Sequence, residues 1–415
     1  MSQTTQPRPE TARNATLRDL AELLKDQHTR KLDVVAAASA LRVKNGALIL
    51  EGTEPVLTAD GVSQGDGVYR PTAVADGHLA DKLSIPVQYL RRLRESRMDL
   101  FDANVNGLLR GRSVRRADGT AEVIHPADDR KFLVRCFRSG DGGPGVARAV
   151  LSDSYKMIDN LDALTAAMDG IRQAGVPVEI ESADLTDSRM YVRVVAPGIA
   201  AYAPSLLAGY RNPFADPALN AARRHGRTDD PETRFGRTAT GEPIVFAGFV
   251  LTNSETGGGA FTITPRLMVQ ICRNGMTINK DAARAVHLGG KLDEGTIRWS
   301  DDTNTKQLAV ITAKARDAVR TFLDPRYMTD VIEDIERKAS RPVGKPADAI
   351  QAVAKSLAFT QKQTDDILDH FIRGAQPTAG GIVNAITSYA QTVADADTAA
   401  DIEGRALKAL DLISA

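Results

Sequence analysis

The sequence predicts an α+β protein: a twisted, mainly antiparallel sheet drawn from residues 34–300 with helices packed on one side, then an α-helical C-terminal domain. Three observations carry this. Short β-branched runs bounded by Gly, Pro and Asn recur through the first 300 residues. Isolated amphipathic helical segments interrupt them, and from about Lys306 helical spacing takes over almost completely. At 415 residues the chain can bury a sizeable core. The expected division is a polar, disordered lead over 1–13, an α+β core over 14–305 and a helical domain over 306–415.

Taken in order, Thr16 caps a helix that carries Leu17, Leu20, Leu23 and Leu24 on one face. From Val34 to Gly52 the pattern alternates around Lys44-Asn45-Gly46, and Asn-Gly is a strong signal for a tight hairpin. Ser84-Ile85-Pro86 opens a helix to about Arg97, with Val87, Leu90 and Leu93 inward and Arg91, Arg92, Arg94 and Arg97 around the rest. Residues 104–125 read as strand and turn, and Lys131–Phe137 as a strand before the loose loop Ser139–Gly145. Val178–Glu181 and Arg189–Val195 form a strand pair, with Arg189, Tyr191 and Arg193 sharing one face.

Residues 197–241 are rich in Pro, Gly, Arg and Asp without periodicity and read as a long Arg-rich loop. Strands at Ile244–Thr252 and Ala260–Ile263 flank the reversal Asn253–Gly259, and Arg266–Asn274 turns helical or stays extended. The helical third is broken at Asp324-Pro325, Ser340–Pro346 and Gln376–Gly381. No internal repeat is visible.

One stretch changes period at a single point. Ala149-Val150-Leu151 ends a buried strand, Ser152-Asp153-Ser154 is a turn, and Asp159-Asn160 starts a helix over 160–173 with Leu161, Leu164 and Met168 on one side. This strand-turn-helix, with Asn253-Ser254-Glu255-Thr256-Gly257, Ile271-Cys272-Arg273-Asn274-Gly275-Met276 and His287, resembles the phage- and plasmid-borne family known as domain of unknown function 932. The resemblance returns at Ile367-Leu368-Asp369-His370-Phe371, Pro377-Thr378, Asn384-Ala385-Ile386-Thr387 and Asp401-Ile402-Glu403, so that it spans roughly residues 75–415. The 197–241 segment departs from it. The resemblance implies phage or plasmid residence and no established chemistry.

Composition is that of an ordinary globular chain, 42% hydrophobic and 26% charged with net charge zero, so bulk charge gives no reason to expect nucleic acid or membrane. Its distribution is uneven: 10 basic and 11 acidic residues in 1–90, 29 and 25 in 91–300, 14 and 17 in 301–415. Over 91–148 there are 13 basic to 8 acidic, among them Arg91, Arg92, Arg94, Arg110, Arg112, Arg115, Arg116, Arg130, Lys131, Arg135 and Arg138. Arg-rich codon usage would produce this without function; phosphate recognition would use it. Cys136 and Cys272 lie outside any metal spacing and fit core positions in a reducing cytoplasm. Nothing resembles a membrane span.

Candidate chemistry is thin. Asp153, Asp159 and Asn160 read first as turn and N-cap residues, or as the start of a helix that receives a phosphate between Arg148 and Lys156. Gly257-Gly258-Gly259 lacks a Walker ending and reads as a hairpin reversal. Cys272 and His287 as nucleophile and base lack an orienting third group, and the six histidines have no metal spacing. No catalytic residue, metal or cofactor is therefore expected.

What remains is an ATP-independent single-strand DNA annealing recombinase, expected by analogy, binding DNA through Arg148, Lys156, Arg189, Tyr191, Arg193, Arg266 and Arg273 as a homo-oligomer in a bacterial or phage-infected cytoplasm. Aromatic content of 5% is low for a stacking platform. The rival is a non-enzymatic phage or plasmid assembly protein working through its helical tail, with Ile382, Ile386 and Tyr389 on one face. An enzyme would need a metal held by Asp153, Asp159 and Glu255.

Overall fold

The computed structural model describes residues 10–413 except 54–55, 59–60, 64, 119, 141, 156–157, 226–241, 272–274, 279–282, 286–294 and 297–300. Strand β1 (Ala12–Ala15) leads into helix α1 (Leu17–Arg30). Thr16 and Asp19 form a reciprocal capping box there, and Leu20 and Leu24 are buried. β2 (Lys31–Ala37) follows, then β3 (Leu41–Lys44) and β4 (Ala47–Leu50). The β3–β4 turn is the expected one: Asn45 and Gly46 both take positive φ, 51° and 73°, as a two-residue reversal requires.

Next come β5 (Val56–Thr58), β6 (Gly61–Ser63), β7 (Gly67–Pro71), and helices α2 (Ala73–Lys82), α3 (Val87–Ser96) and α4 (Met98–Arg110). α3 matches the reading from Pro86 and buries Leu90 and Leu93. α4 corrects the reading of 104–125: Phe101, Val105 and Leu109 recur every fourth residue and are buried, so Leu108-Leu109 is helical. Strand structure begins only after Gly111, as the hairpin β8 (Arg112–Arg115) and β9 (Ala121–His125). β10 (Lys131–Phe137), β11 (Gly145–Ser152), α5 (Asn160–Ala174), β12 (Glu179–Leu185) and β13 (Met190–Tyr202) lie close to their sequence positions.

The segment 197–241 is more ordered than its composition suggests. β13 continues through Pro197 and Gly198 at a bulge between Ala196 and Ala200, where neither residue breaks the strand. It is followed by α6 (Pro204–Leu207) and α7 (Pro217–Arg224), the latter capped by the Asp216 side chain with Pro217 at its first position. Residues 226–241 lie outside the described set. β14 (Ile244–Asn253) and β15 (Phe261–Val269) form a long hairpin, so Arg266 is extended. Then come β16 (Gly275–Thr277), β17 (Ala283–Ala285) and β18 (Gly295–Thr296). The helical third is α8 (Asp301–Phe322), α9 (Pro325–Ala339), α10 (Pro346–Ser356), α11 (Gln361–Gly374), α12 (Ala379–Thr392), α13 (Ala396–Arg405) and α14 (Lys408–Leu412).

Among the described residues the single sheet foreseen from sequence is two seven-stranded sheets, with β5–β6 and β8–β9 as separate two-stranded pairs. The long sheet runs β1-β12-β13-β14-β15-β16 with β17 also on β15, every pairing antiparallel. The mixed sheet runs β18-β2-β10-β11-β7-β4-β3, with β11 and β7 parallel. Helices α1, α5 and α8–α14 share one apolar core with the long sheet, through Val192, Phe249, Ile263, Ile311, Ile386 and Leu410. Helices α2–α4 close a second core over the mixed sheet, around Val134, Leu48, Phe101 and Val105. Among the described residues no helix is long and apolar enough to cross a membrane.

Candidate functional site

The cations expected to line one groove occupy separate settings. Arg148, on β11, is almost buried and pairs with Glu255 from the β14–β15 reversal. Beside it Arg135, fully buried on β10, donates to Asp33 Oδ1 (2.7 Å) and Asp159 Oδ1 (2.6 Å) and to the carbonyl of Glu255 (2.8 Å). Lys31 on β2 completes the pairing of Asp159. The cluster thus sets Lys31, Arg135 and Arg148 against Asp33, Asp159 and Glu255, a neutral set that joins β2, β10 and β11 to the start of α5 and the long sheet.

Burial would raise the Asp159 carboxyl, but Arg135 and Lys31 outweigh it and hold it far below the usual range. Burial likewise works against the Arg135 charge, and Asp33, Asp159 and Glu255 reverse that effect. Asp159 occupies the N-cap position of α5, yet its side chain caps nothing. That task belongs to Glu255, whose Oε1 accepts from Asn160 N at 2.5 Å, while Asn253 Nδ2 donates to Asn160 Oδ1 at 2.8 Å. The helix start is therefore already filled by a carboxylate, and the phosphate reading of Arg148 has no open N-terminus to use.

Arg189, Tyr191, Arg193 and Arg266 do share one face of the long sheet, the face covered by α13. The inner two cations are neutralised: Arg193 by Asp184, which also pairs with Arg13, and Arg266 by Glu181 and by Glu403 of α13 (2.7 Å). The Tyr191 hydroxyl donates to Asp397 Oδ1 at 2.8 Å, which removes the ring as an open stacking surface. Arg189 is exposed, and its Nε donates to the carbonyl of Gly258 at 2.7 Å. Between this face and α13 lies a cleft of about 350 Å³ lined by Arg189, Thr252, Thr262, Thr264, Thr277 and Lys408 among others. Lys156 and Arg273 lie outside the described residues, as do Cys272 and His287.

A continuous basic groove is therefore absent among the described residues. Exposed cations with no carboxylate partner among the described residues include those at the β8–β9 hairpin, which belongs to neither large sheet and is exposed along its whole length. Its base is fixed: a Cβ on Gly111 would lie 2.5 Å from Ala127 N and His125 O, and Asp128 N donates to the carbonyl of Leu109 at 3.2 Å. Arg116 pairs with Glu122, but among the described residues Arg110, Arg112 and Arg115 meet no carboxylate. Val114, Val123 and Ile124 are exposed on the same arm. The Arg-rich run around Arg112 marked this arm in the sequence; nothing there marked its projection.

Enzymatic candidates fare poorly. Asp159 and Glu255 are consumed by the cation cluster, Asp153 sits in a turn, and burial pushes the Cys136 thiol up, away from nucleophilic use. Among the described residues no three His, Cys, Asp or Glu side chains gather as metal ligands would. Gly257 (φ 81°) and Gly259 (φ 153°) make the β14–β15 reversal, and a Cβ on Gly257 would lie 2.8 Å from Leu151 Cδ2. Comparisons with protein-family models, curated proteins and solved structures found no match.

Proposed function

We propose that the protein binds single-stranded DNA through its phosphate backbone, with the β8–β9 arm as the contact element, and promotes annealing without a nucleotide. The observation that carries the reading is the contrast among cations. Arg135, Arg148, Arg193 and Arg266 are buried and paired, whereas Arg110 at the end of α4 and Arg112 and Arg115 on the rooted hairpin that follows are exposed with no carboxylate partner among the described residues. Guanidinium groups on such a ribbon suit phosphate oxygens, which carry no sequence information, so the expected binding is insensitive to sequence.

Three phosphate contacts on single-stranded DNA give a log–log salt slope of about −2, or roughly a 20-fold loss of affinity between about 50 and 200 mM salt. Fluorescence anisotropy with a labelled oligonucleotide measures this, and annealing of complementary strands without nucleotide measures the activity. No binding at about 50 mM salt would overturn the reading.

The tail face of Ile382, Ile386 and Tyr389 is buried in the main core and is not open for assembly, so a second reading places assembly on the arm, favoured by the exposed Val123 and Ile124 and by strand edges that pair with no further strand among the described residues. It expects an oligomer by light scattering that Val123→Lys dissolves, with no oligonucleotide bound.

A further inference from the structure

We infer that the cleft between the outer face of the long sheet and α13 is a binding site for a small organic phosphate, separate from the arm. A sheet face covered by a helix is ordinarily apolar, because burying unpaired hydroxyls and charges is costly. Here an apolar patch of Val195, Phe246 and Met268 occupies part of the face. The remainder carries Thr252, Thr262, Thr264 and Thr277 on β14, β15 and β16, all opening onto a space of about 350 Å³. That volume lies within the range of small-ligand sites.

The threonines are in register: Thr252 stands opposite Thr262, and Arg266, two residues beyond Thr264, stands opposite Thr277. The Thr252 and Thr262 hydroxyls bond each other, so one proton of that pair is spent, and the pair with Thr264 and Thr277 forms a patch on the floor that can still donate to more than one oxygen of a ligand.

The charges select the ligand's sign. Arg193 and Arg266 are cancelled by Asp184, Glu181 and Glu403, and Arg405 pairs with Asp401 in the wall. Two cations are left at the cleft. Lys408, exposed at the start of α14, meets no carboxylate among the described residues, and Arg189 is held through a carbonyl, which aims the guanidinium without cancelling its charge. Lys408, and Arg189 with the Asp397 carboxylate one hydroxyl away on Tyr191, stand over a floor of hydroxyl donors, an arrangement that fits a phosphoryl group on a polar body.

The test is calorimetric titration of the full chain with pyrophosphate and with adenosine 5′-monophosphate, using adenosine and sodium chloride of matched ionic strength as controls. The expected result is saturable binding of at least one phosphate compound and none of adenosine or chloride. Lys408→Ala and Arg189→Ala, both at exposed positions, should each weaken it by about 10-fold or more, and Thr264→Val should weaken it with the fold intact by circular dichroism. Arg112→Ala/Arg115→Ala should leave it unchanged, which separates this site from the arm. No binding of either phosphate compound, or binding that Lys408→Ala and Arg189→Ala both leave unaltered, would overturn the assignment.

Discussion

Replacing Arg135 by Met tests whether the buried cation cluster holds the two sheets together. The side chain is fully buried, and its loss leaves Asp33 without its bidentate partner (2.7 and 3.0 Å), Asp159 with Lys31 alone, and the Glu255 carbonyl without its donor. Removing one member of a buried ion pair costs about 3–5 kcal/mol, because the remaining charge stays desolvated. The orphaned carbonyl adds about 1 kcal/mol. Arg135→Met should therefore lose about 4–6 kcal/mol, a large share of the roughly 5–15 kcal/mol that a folded domain holds. Asp33→Asn in the same background removes the stranded charge and should restore about 1–3 kcal/mol, a coupling that only direct partners show. Urea unfolding followed by far-ultraviolet circular dichroism reads both. A loss below about 1 kcal/mol, or strictly additive effects in the double variant, would refute the cluster as a clamp.

Asp184 should make stability fall in acid. Burial would raise its carboxyl, but Arg193 and Arg13 bring it down to about 2. Its contribution, about 2–3 kcal/mol, is therefore complete above the unfolded value of about 3.9 and is lost as pH falls toward the folded one; Asp184→Asn should flatten the acid limb of a stability–pH profile. His370 acts higher on the scale: its Nδ1 lies 2.7 Å from Ser388 Oγ, and burial brings its ring down to about 4. Protonation then favours the unfolded chain, so stability is complete above about pH 6.5 and declines toward pH 4 by at most about 3 kcal/mol, a decline that His370→Gln should remove. Gly170→Ala should lower the melting temperature through a loss of about 1–3 kcal/mol, because the added Cβ would sit 2.4 Å from the Thr312 carbonyl where α5 crosses α8; an unchanged melt would show that the helices can separate without cost.

Elements with local punctuation were legible. Thr16, Asn45-Gly46, Ile85-Pro86 and Asp324-Pro325 each set a cap or turn by their own chemistry, and the structure follows them. α4 was missed because Leu108-Leu109 sits beside β-branched Val114, Val123 and Ile124, which drew the strand reading backward across Gly111. Pro197 and Gly198 open the stretch that composition reads as a loop, but a bulge lets β13 pass through them. In the candidate site, sequence alternation correctly placed Arg189, Tyr191 and Arg193 on one face. It could not show that Arg193 and Arg266 would be cancelled, because their partners come from positions 181, 184 and 403 and meet them only through strand order and the docking of α13. The same holds for Arg135 and Arg148, whose carboxylates lie at 33, 159 and 255.

The most direct measurement is the salt slope of single-stranded DNA affinity in the wild-type chain, in Arg110→Ala/Arg112→Ala/Arg115→Ala, and in Arg97→Ala, whose guanidinium is exposed but already paired with Asp99 at 2.7 Å. Loss of three phosphate contacts should shallow the slope by about 2 in the arm variant, with Arg97→Ala indistinguishable from wild type. Equal slopes in all three proteins would place the DNA contacts elsewhere and remove the arm from the binding surface.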